Sequence, residues 1–225
     1  MGLMNLPRLA ATVVLAAVMA VAAAARAAEP IAFRNPCAKG DRLVIAAVGD
    51  LLFHRQLQMR ALVKGKNYRQ FWAPVAELLA SADLTYGNLE GPTAAGVAAG
   101  GRLVKDPGRR MDGRVYSDGR PQMNFNFHPS VIDDLKASGF DILSTANNHA
   151  FDRGAIGIDK TADALDAAAM QFSGTRKRDE FSRPWSAVTR ANGFRIAWLA
   201  CTFDLNGFKD RHGQALFCYD EQEQV

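Results

Sequence analysis

Three short apolar runs, each followed at once by polar side chains, constrain the fold more than any other feature of the sequence. They read RLVIAAVGD at residues 42–50, DLTYGNLEG at residues 83–91 and FDILSTANNH at residues 140–149. A continuous apolar run of strand length, such as the first, is typical of a strand buried on both faces. We therefore predict that the three runs are strands of an α/β domain.

Helical patterns alternate with these strands and cover residues 51–62, 71–84, 128–140 and 154–170. In residues 71–84, Val75, Leu78 and Leu79 have helical spacing. The third pattern has Pro129 near its start and Gly139 at its end, which are favoured positions for these residue types. One face of the fourth pattern collects four apolar side chains, Ile158, Ala162, Leu165 and Ala169.

An antiparallel element follows the last helical pattern. Residues 187–203 read AVTRANGFRIAWLACTF, in which two apolar runs flank Asn192-Gly193. An Asn-Gly pair between two such runs predicts a β-hairpin with a two-residue turn. We therefore expect some antiparallel pairing in the α/β domain.

The first 27 residues predict a secretory signal peptide. Arg8 precedes an apolar run at residues 9–25, and Ala25-Arg26-Ala27 has the small-x-small pattern of a cleavage site. The alternative is a retained membrane anchor, because the run is about as long as a short spanning helix. We expect a signal peptide at 1–27, a linker at 28–41 and one domain at 42–225. The protein would then be exported to the periplasm or cell surface, with membrane contact only through an uncleaved signal segment.

Charge and cysteine content narrow the function classes. The net charge of +4 includes both arginines of the predicted signal peptide, so it gives no argument for nucleic-acid binding. The three cysteines are Cys37, Cys201 and Cys218, and no pair has metal-site spacing. An exported chain permits either one disulfide with one thiol left over or three buried thiols, and the sequence leaves the pairing open.

Ligand-type side chains concentrate where the three predicted strands end. Asp50 and His54 follow the first strand, Asn88 and Glu90 the second, and a third group comprises Asn147, Asn148, His149 and Asp152. Ligands of parallel α/β sheets bind outside the carboxyl ends of the strands. Carboxylate, amide oxygen and imidazole together suit a divalent Mn, Zn, Fe or Mg ion. Such a site can stabilise a phosphoryl displacement, with a histidine donating a proton to the leaving group.

Each of these residues also has a structural interpretation. Gly49-Asp50 could form only a turn and a helix cap, and Glu90 could be a surface turn residue. Asn147 and Asn148 could cap the following segment, and Asp152 could cap the helix that starts near Gly154. His149 alone could be a hydrogen-bonded core histidine. The joint pattern favours a metal site over these separate explanations.

The segments AAVGDLLFH, ADLTYGNLEGP and FDILSTANNHAFDRG, in this order and spacing, resemble the CapA family of capsule-synthesis proteins over residues 43–203. That family is linked to poly-γ-glutamate capsules, and its fold is similar to that of calcineurin-like metallophosphoesterases, an α/β/β/α sandwich with mixed sheets. The resemblance implies metal ligands at Asp50, Glu90 and Asn148 and a catalytic role for His149. His54 matches an Asp-x-His ligand loosely, since it comes four residues after the aspartate.

The sequence also departs from that family. Glu90 stands where the phosphoesterase fold has an aspartate, and the histidine segments that complete the site in the family are not matched after His149. His212 is the one later histidine, and its context, KDRHGQ, fits neither segment. The resemblance therefore predicts a sandwich and a metal shell that are incomplete in this chain, as in a fragment.

A basic stretch between the second and third strands predicts a place for an anionic ligand. Residues 100–122 carry more arginine and lysine than aspartate and have no sustained period. We expect Arg109 and Arg110, with Asn88, to bind substrate, and Met111 and Tyr116 to anchor the loop. A solvated loop with internal ion pairs is the alternative.

Two function classes remain. One is a metal-dependent phosphoesterase-type hydrolase acting on a capsule or envelope precursor, with partners in envelope biosynthesis. The other is a non-catalytic component of polymer export or anchoring that binds an anionic polymer. The first predicts bound metal, and the second predicts binding that weakens with salt and survives chelation.

Overall fold

The computed structural model describes residues 42–120 and 122–219. The predicted signal peptide, the linker and Cys37 lie outside these residues. None of the helices in the described part of the chain combines the length and hydropathy that a membrane span requires.

A four-stranded parallel sheet organises the described residues. The strands are, in chain order, β1 (Ile45–Asp50), β2 (Leu84–Asn88), β3 (Val97–Ala98), β4 (Arg102–Leu103), β5 (Ile142–Ser144), β6 (Gln171–Ser173), β7 (Ser186–Ala191) and β8 (Phe194–Leu199). The sheet order is β1-β2-β5-β6, and every pair within it is parallel. The three predicted strands are confirmed as β1, β2 and β5, which are consecutive in the sheet. Antiparallel pairing in the described strands is confined to the two-stranded pairs β3-β4 and β7-β8.

The helices are shorter than the sequence patterns. They are α1 (Arg55–Ala61), α2 (Ala76–Ala80), α3 (Ser130–Lys136) and α4 (Gly154–Ala167), with 3₁₀ turns at Tyr68–Phe71, Ala73–Val75 and Ala99–Gly101. Residues 71–84 do not form one continuous helix, because 3₁₀ turns with three residues per turn precede α2. Of the three apolar residues with helical spacing, Leu79 is buried, whereas Val75 and Leu78 are exposed.

Helix α4 confirms most of its predicted face and corrects its end. Ile158, Ala162 and Leu165 are buried, but the helix ends at Ala167 and Ala169 is exposed. Ala169 has a φ of 49°, and the next N–H, that of Met170, donates to the carbonyl of Leu165. This is a Schellman motif, in which the left-handed residue turns the chain out of the helix. The sequence pattern extended the helix to residue 170 because alanine gives no signal for such a helix end.

The main core lies against the sheet and fixes the loops above it. Its largest members include Phe53, Tyr68, Phe127, Phe140, Leu143 and Leu165. Met111 packs against this core and Tyr116 is fully buried, which confirms that they anchor the long loop. Buried Asn126 also anchors this loop, because its side-chain amide makes hydrogen bonds to the backbone of Ala94, Val97 and Val115.

The β7-β8 hairpin and one disulfide complete the described fold. Asn192 and Gly193 have φ values of 47° and 79°, so the predicted turn is confirmed. The Trp198 ring stacks on that of Tyr86 in the sheet, with 5.5 Å between centroids. Cys201 and Cys218 form a disulfide, which decides the pairing that the sequence left open.

Candidate functional site

The carboxyl ends of β1 and β2 bring the first predicted site residues together. Asp50 and Asn88 are the last residues of these strands and are paired in the register of the sheet. Asn88 Nδ2 donates to Asp50 Oδ1 at 2.9 Å, and Asn88 Oδ1 accepts from Asn147 Nδ2 at 3.1 Å. Asn147 Nδ2 also donates to the carbonyl of Leu89. These bonds fix both ends of the Asn88 amide and hold the Asp50 carboxylate at the sheet edge.

The carboxyl groups of Asp50 and Glu90 lie together at this edge of the sheet. Burial, and then the hydrogen bond and charge of Asp50, raise the pKa of Glu90 to about 7. Hydrogen bonds with Asn88 and Glu90 lower the pKa of Asp50. Asp50 is therefore the ionised partner near neutral pH, while Glu90 keeps a proton that it loses easily. Glu90 Oε2 is buried and has no hydrogen-bond partner among the described residues.

His149 is oriented by an aspartate from its own turn. Its Nδ1 lies 2.9 Å from Asp152 Oδ2, and its ring packs edge-on against Phe125 with 4.8 Å between centroids. Burial lowers the pKa of His149, but the hydrogen bond and charge of Asp152 outweigh it, so the pKa is raised overall. Because Nδ1 is engaged by a carboxylate, Nε2 is the nitrogen available for proton transfer.

The structural interpretations of the third group are settled by their contacts. Asp152 does not cap α4: its carboxylate accepts from His149 and from the backbone N–H of Phe125, and no side chain caps the helix. Asn147 does hold the local turn, because its Oδ1 accepts the backbone N–H of His149 at 3.1 Å. Asn148 instead turns towards Asn206, a residue that sequence reasoning missed.

His54 joins this region through an aromatic contact. Its ring also packs edge-on against Phe125, with 5.2 Å between centroids, and its Nδ1 lies 4.0 Å from Asp118 Oδ2. That nitrogen is buried without a hydrogen-bond partner in the described residues. His54 therefore lies near His149, with Phe125 between the two rings. Among the described residues, no hydrogen bond or ion pair joins His54 to Asp50 or Glu90.

The two arginines predicted to bind substrate have different surroundings. The Arg109 guanidinium donates to the carbonyls of Ala61 and Lys66 and to Ser130 Oγ, so it joins the loop to the end of α1 and the start of α3. Arg110 is exposed. Substrate binding by either residue stays a prediction.

Comparison with known proteins assigns the chain to a family. The family of the bacterial capsule synthesis protein PGA_cap matches residues 44–224. The chain belongs to this family. It is 29% and 30% identical over 166 residues to the uncharacterized proteins y4sH and y4uA of Sinorhizobium fredii, alignments that cover 72% of this chain and 30% of each relative. It is 26% identical over 165 residues to the capsule biosynthesis protein CapA of Bacillus anthracis, covering 73% of this chain and 36% of that relative.

The resemblance seen in the sequence is thereby confirmed at the level of the family. Membership places the chain among capsule-synthesis proteins, which are associated with the cell envelope. The chain spans about a third of the length of the curated relatives it matches.

A cleft of about 570 Å³ opens at the carboxyl ends of the parallel strands, and Asp50 lines it whereas Glu90 and His149 do not. Asp50 and Asn88 form part of its lining, and Tyr86, Trp198 and Leu199 form an apolar wall. The carboxyl ends of the strands therefore border a space that can admit a ligand, with charge at one side and apolar surface at the other.

The donor set of the capsule-synthesis domain fits a hard cation better than a soft one. Among residues 42–120 and 122–219, no three His, Cys, Asp or Glu side chains are grouped as a metal site. Asp50 supplies a carboxylate, and Glu90 supplies a carboxyl group whose Oε2 has no hydrogen-bond partner among the described residues and which becomes a carboxylate when its proton is lost. Such a set suits Mg²⁺ or Mn²⁺, which use oxygen ligands and keep several waters, rather than Zn²⁺.

Proposed function

We propose that this capsule-synthesis protein is an exported, metal-dependent phosphoesterase-type hydrolase that acts on a precursor of an anionic envelope polymer. The observation that carries the proposal is the link between the Asp50–Glu90 pair and the His149–Asp152 pair: Asn88 bonds to Asp50 and to Asn147, which lies in the turn that carries His149. The charges of the two pairs affect each other, since His149 contributes to the pKa shifts of both Asp50 and Glu90. In this proposal the parallel sheet is one layer of a metallophosphoesterase-like sandwich.

The residues take distinct roles in the proposed reaction. Asp50, Glu90 and Asn148 would hold a divalent cation, which would supply Lewis-acid polarisation of a phosphoryl oxygen when bound. Asn88 keeps the Asp50 carboxylate in place through its 2.9 Å hydrogen bond. His149 donates a proton from Nε2 to the leaving oxygen, since its raised pKa keeps the ring protonated more often near neutral pH.

The capsule part of the proposal is supported by the family and by the name of one relative. The protein of Bacillus anthracis is a capsule biosynthesis protein, and the family is one of capsule synthesis. An anionic polymer or its phosphate ester also fits the exposed arginines of the long loop, which include Arg110. Poly-γ-glutamate is the polymer that the resemblance favours.

A second candidate is a non-catalytic component that binds the polymer. It is favoured by one observation: within the described residues, the acids and histidines do not form a three-ligand metal cluster. The exposed cationic loop would then retain an anionic chain through charge alone. Salt would weaken that interaction, and a chelator would leave it unchanged.

Metal binding and hydrolysis, measured on the same samples, test the proposal. We expect Mn²⁺ binding by calorimetry in the purified chain and chelator-sensitive hydrolysis of bis(p-nitrophenyl) phosphate. Asp50→Asn should abolish binding, because it removes the ionised carboxylate. His149→Ala should bind Mn²⁺ and lose about 100-fold or more in turnover, the scale of general acid catalysis.

His212→Ala is the matched control, because His212 is an exposed histidine whose recorded hydrogen bond is made by its backbone. It should retain both binding and turnover. A folded wild-type chain that binds no Mn²⁺ and hydrolyses no phosphodiester would overturn the hydrolase proposal. Binding of polyglutamate that falls with salt and survives chelation would then support the second candidate.

A further inference from the structure

A residue far along the chain reaches the site and has no assigned role. Asn206 Oδ1 accepts a hydrogen bond from Asn148 Nδ2 at 3.1 Å. Asn206 Nδ2 lies 3.3 Å from His149 Nδ1. One amide therefore contacts both the proposed metal ligand and the proposed proton donor.

The segment that carries Asn206 is held firmly on both sides. The Cys201–Cys218 disulfide closes the segment, and the N–H of Cys218 donates to the carbonyl of Thr202. Leu205 is 2% exposed and packs in a second apolar cluster with Phe151 and Ile158. Because Phe151 belongs to the same turn as His149, this cluster fixes the distance between Asn206 and the site.

The backbone at Asn206 is constrained as well. Its φ is 51°, a left-handed conformation that asparagine adopts more readily than most residues other than glycine. Its N–H donates to Asp204 Oδ1 at 2.7 Å, and Thr202 Oγ1 donates to the carbonyl of Asp204. These bonds stabilise a tight turn, and the turn presents the Asn206 side chain to Asn148.

The hydrogen bond determines which atom of Asn148 is left for a ligand. An asparagine amide has one oxygen, which can bind a cation, and one nitrogen, which cannot. With Nδ2 donating to Asn206, Oδ1 takes no part in that bond. Without Asn206, the Asn148 amide could rotate and present either atom.

We infer that Asn206 is a positioning residue of this site: it orients the Asn148 amide so that Oδ1 is the atom offered to a cation, and it borders the His149 ring. The inference rests on the proposed function for the cation and on the observed contacts for the orientation. Partners that orient metal ligands in this way affect metal affinity about 10–100-fold when they are mutated.

Two measurements on three variants test the inference. In the metal-free wild-type chain, NMR should show one Asn148 side-chain N–H that is shifted by its hydrogen bond to Asn206 and exchanges slowly with water. Asn206→Ala should remove that shift, speed up the exchange of this N–H with water and weaken Mn²⁺ binding about 10–100-fold. Asn206→Asp should retain both properties, because a carboxylate oxygen can still accept from Asn148 Nδ2.

Asn192→Ala is the matched control, since Asn192 is also an asparagine in left-handed backbone, with a φ of 47°, in the β7-β8 turn. It should leave the Asn148 signals and the Mn²⁺ affinity unchanged. Unchanged Asn148 signals in Asn206→Ala, or failure of Asn206→Asp to retain them, would overturn the inference. A wild-type chain that binds no Mn²⁺ would overturn the proposed function, while the NMR comparison would still decide the role of Asn206.

Discussion

Asp50 and Glu90 determine the charge of the site, since two carboxyl groups in contact do not both ionise at low cost. The hydrogen bond from Asn88 favours ionisation of Asp50, and burial disfavours ionisation of Glu90. Folding therefore raises the pKa of Glu90 from an ordinary value of 4.5 to about 7. The metal-free folded state binds this proton more tightly than the unfolded state does. The contribution of Glu90 to stability must then fall as pH rises from about 4.5 to about 7.

Glu90→Gln should reduce this pH dependence. Glutamine does not titrate, so the free energy of unfolding should fall less between pH 5 and pH 8 in the variant than in the wild type. Urea unfolding in the presence of a chelator measures the difference. Glu77→Gln, which changes an exposed glutamate in α2, should behave like the wild type. Identical pH profiles for Glu90→Gln and the wild type would show that Glu90 does not hold the proton.

At the scale of single residues, the sequence predicted which side chains lie near one another better than it predicted their contacts. Asp50, Asn88 and His149 were predictable because each follows a parallel strand, and the strands bring their ends together. The contact between Asp152 and His149 was not predictable, because an aspartate that caps a helix and one that bonds to a histidine have the same sequence pattern. Asn206 could not be found at all, because 57 residues separate it from His149 and the two meet only through tertiary packing.

At the scale of secondary-structure elements, prediction from sequence depends on short signals at the ends of helices and strands. The three-residue strand β6 is too short to carry a detectable alternation, so its place in the sheet follows from its neighbour β5. The β7-β8 turn was predictable because Asn-Gly favours left-handed backbone. The end of α3 was predictable from Gly139, whose φ is 89°. The end of α4 was not predictable, because Ala169 adopts the same left-handed conformation although it is not a glycine.

Ala169→Gly should stabilise the protein. Alanine in left-handed backbone is strained by its Cβ, and glycine adopts the φ of 49° without that strain. We expect the free energy of unfolding to rise by about 0.5–1 kcal/mol. Ala167→Gly, two residues earlier and inside α4, should lower it by about 0.5–1 kcal/mol. Thermal and urea unfolding check both values, and a loss of stability in Ala169→Gly would contradict the assigned helix end.

The molecule as a whole exposes much apolar surface around its sheet. Ile45 is 43% exposed on β1, which is the outermost strand of the described sheet. Leu199, at the end of β8, and Phe203, after the hairpin, are 68% and 70% exposed. An edge strand with exposed apolar side chains offers unpaired backbone groups and hydrophobic contact to another chain. The purified chain should therefore associate with itself as its concentration rises.

Ile45→Lys should suppress that association. A lysine on an edge strand disfavours pairing with a second edge, because pairing would bury or oppose the charge. We expect light scattering and sedimentation to show less self-association in Ile45→Lys, while the free energy of unfolding changes by no more than about 0.5 kcal/mol. Val75→Lys removes a similarly exposed apolar side chain from a 3₁₀ turn that is not part of the sheet. If Val75→Lys suppressed association as strongly, general charge repulsion rather than the β1 edge would be the cause.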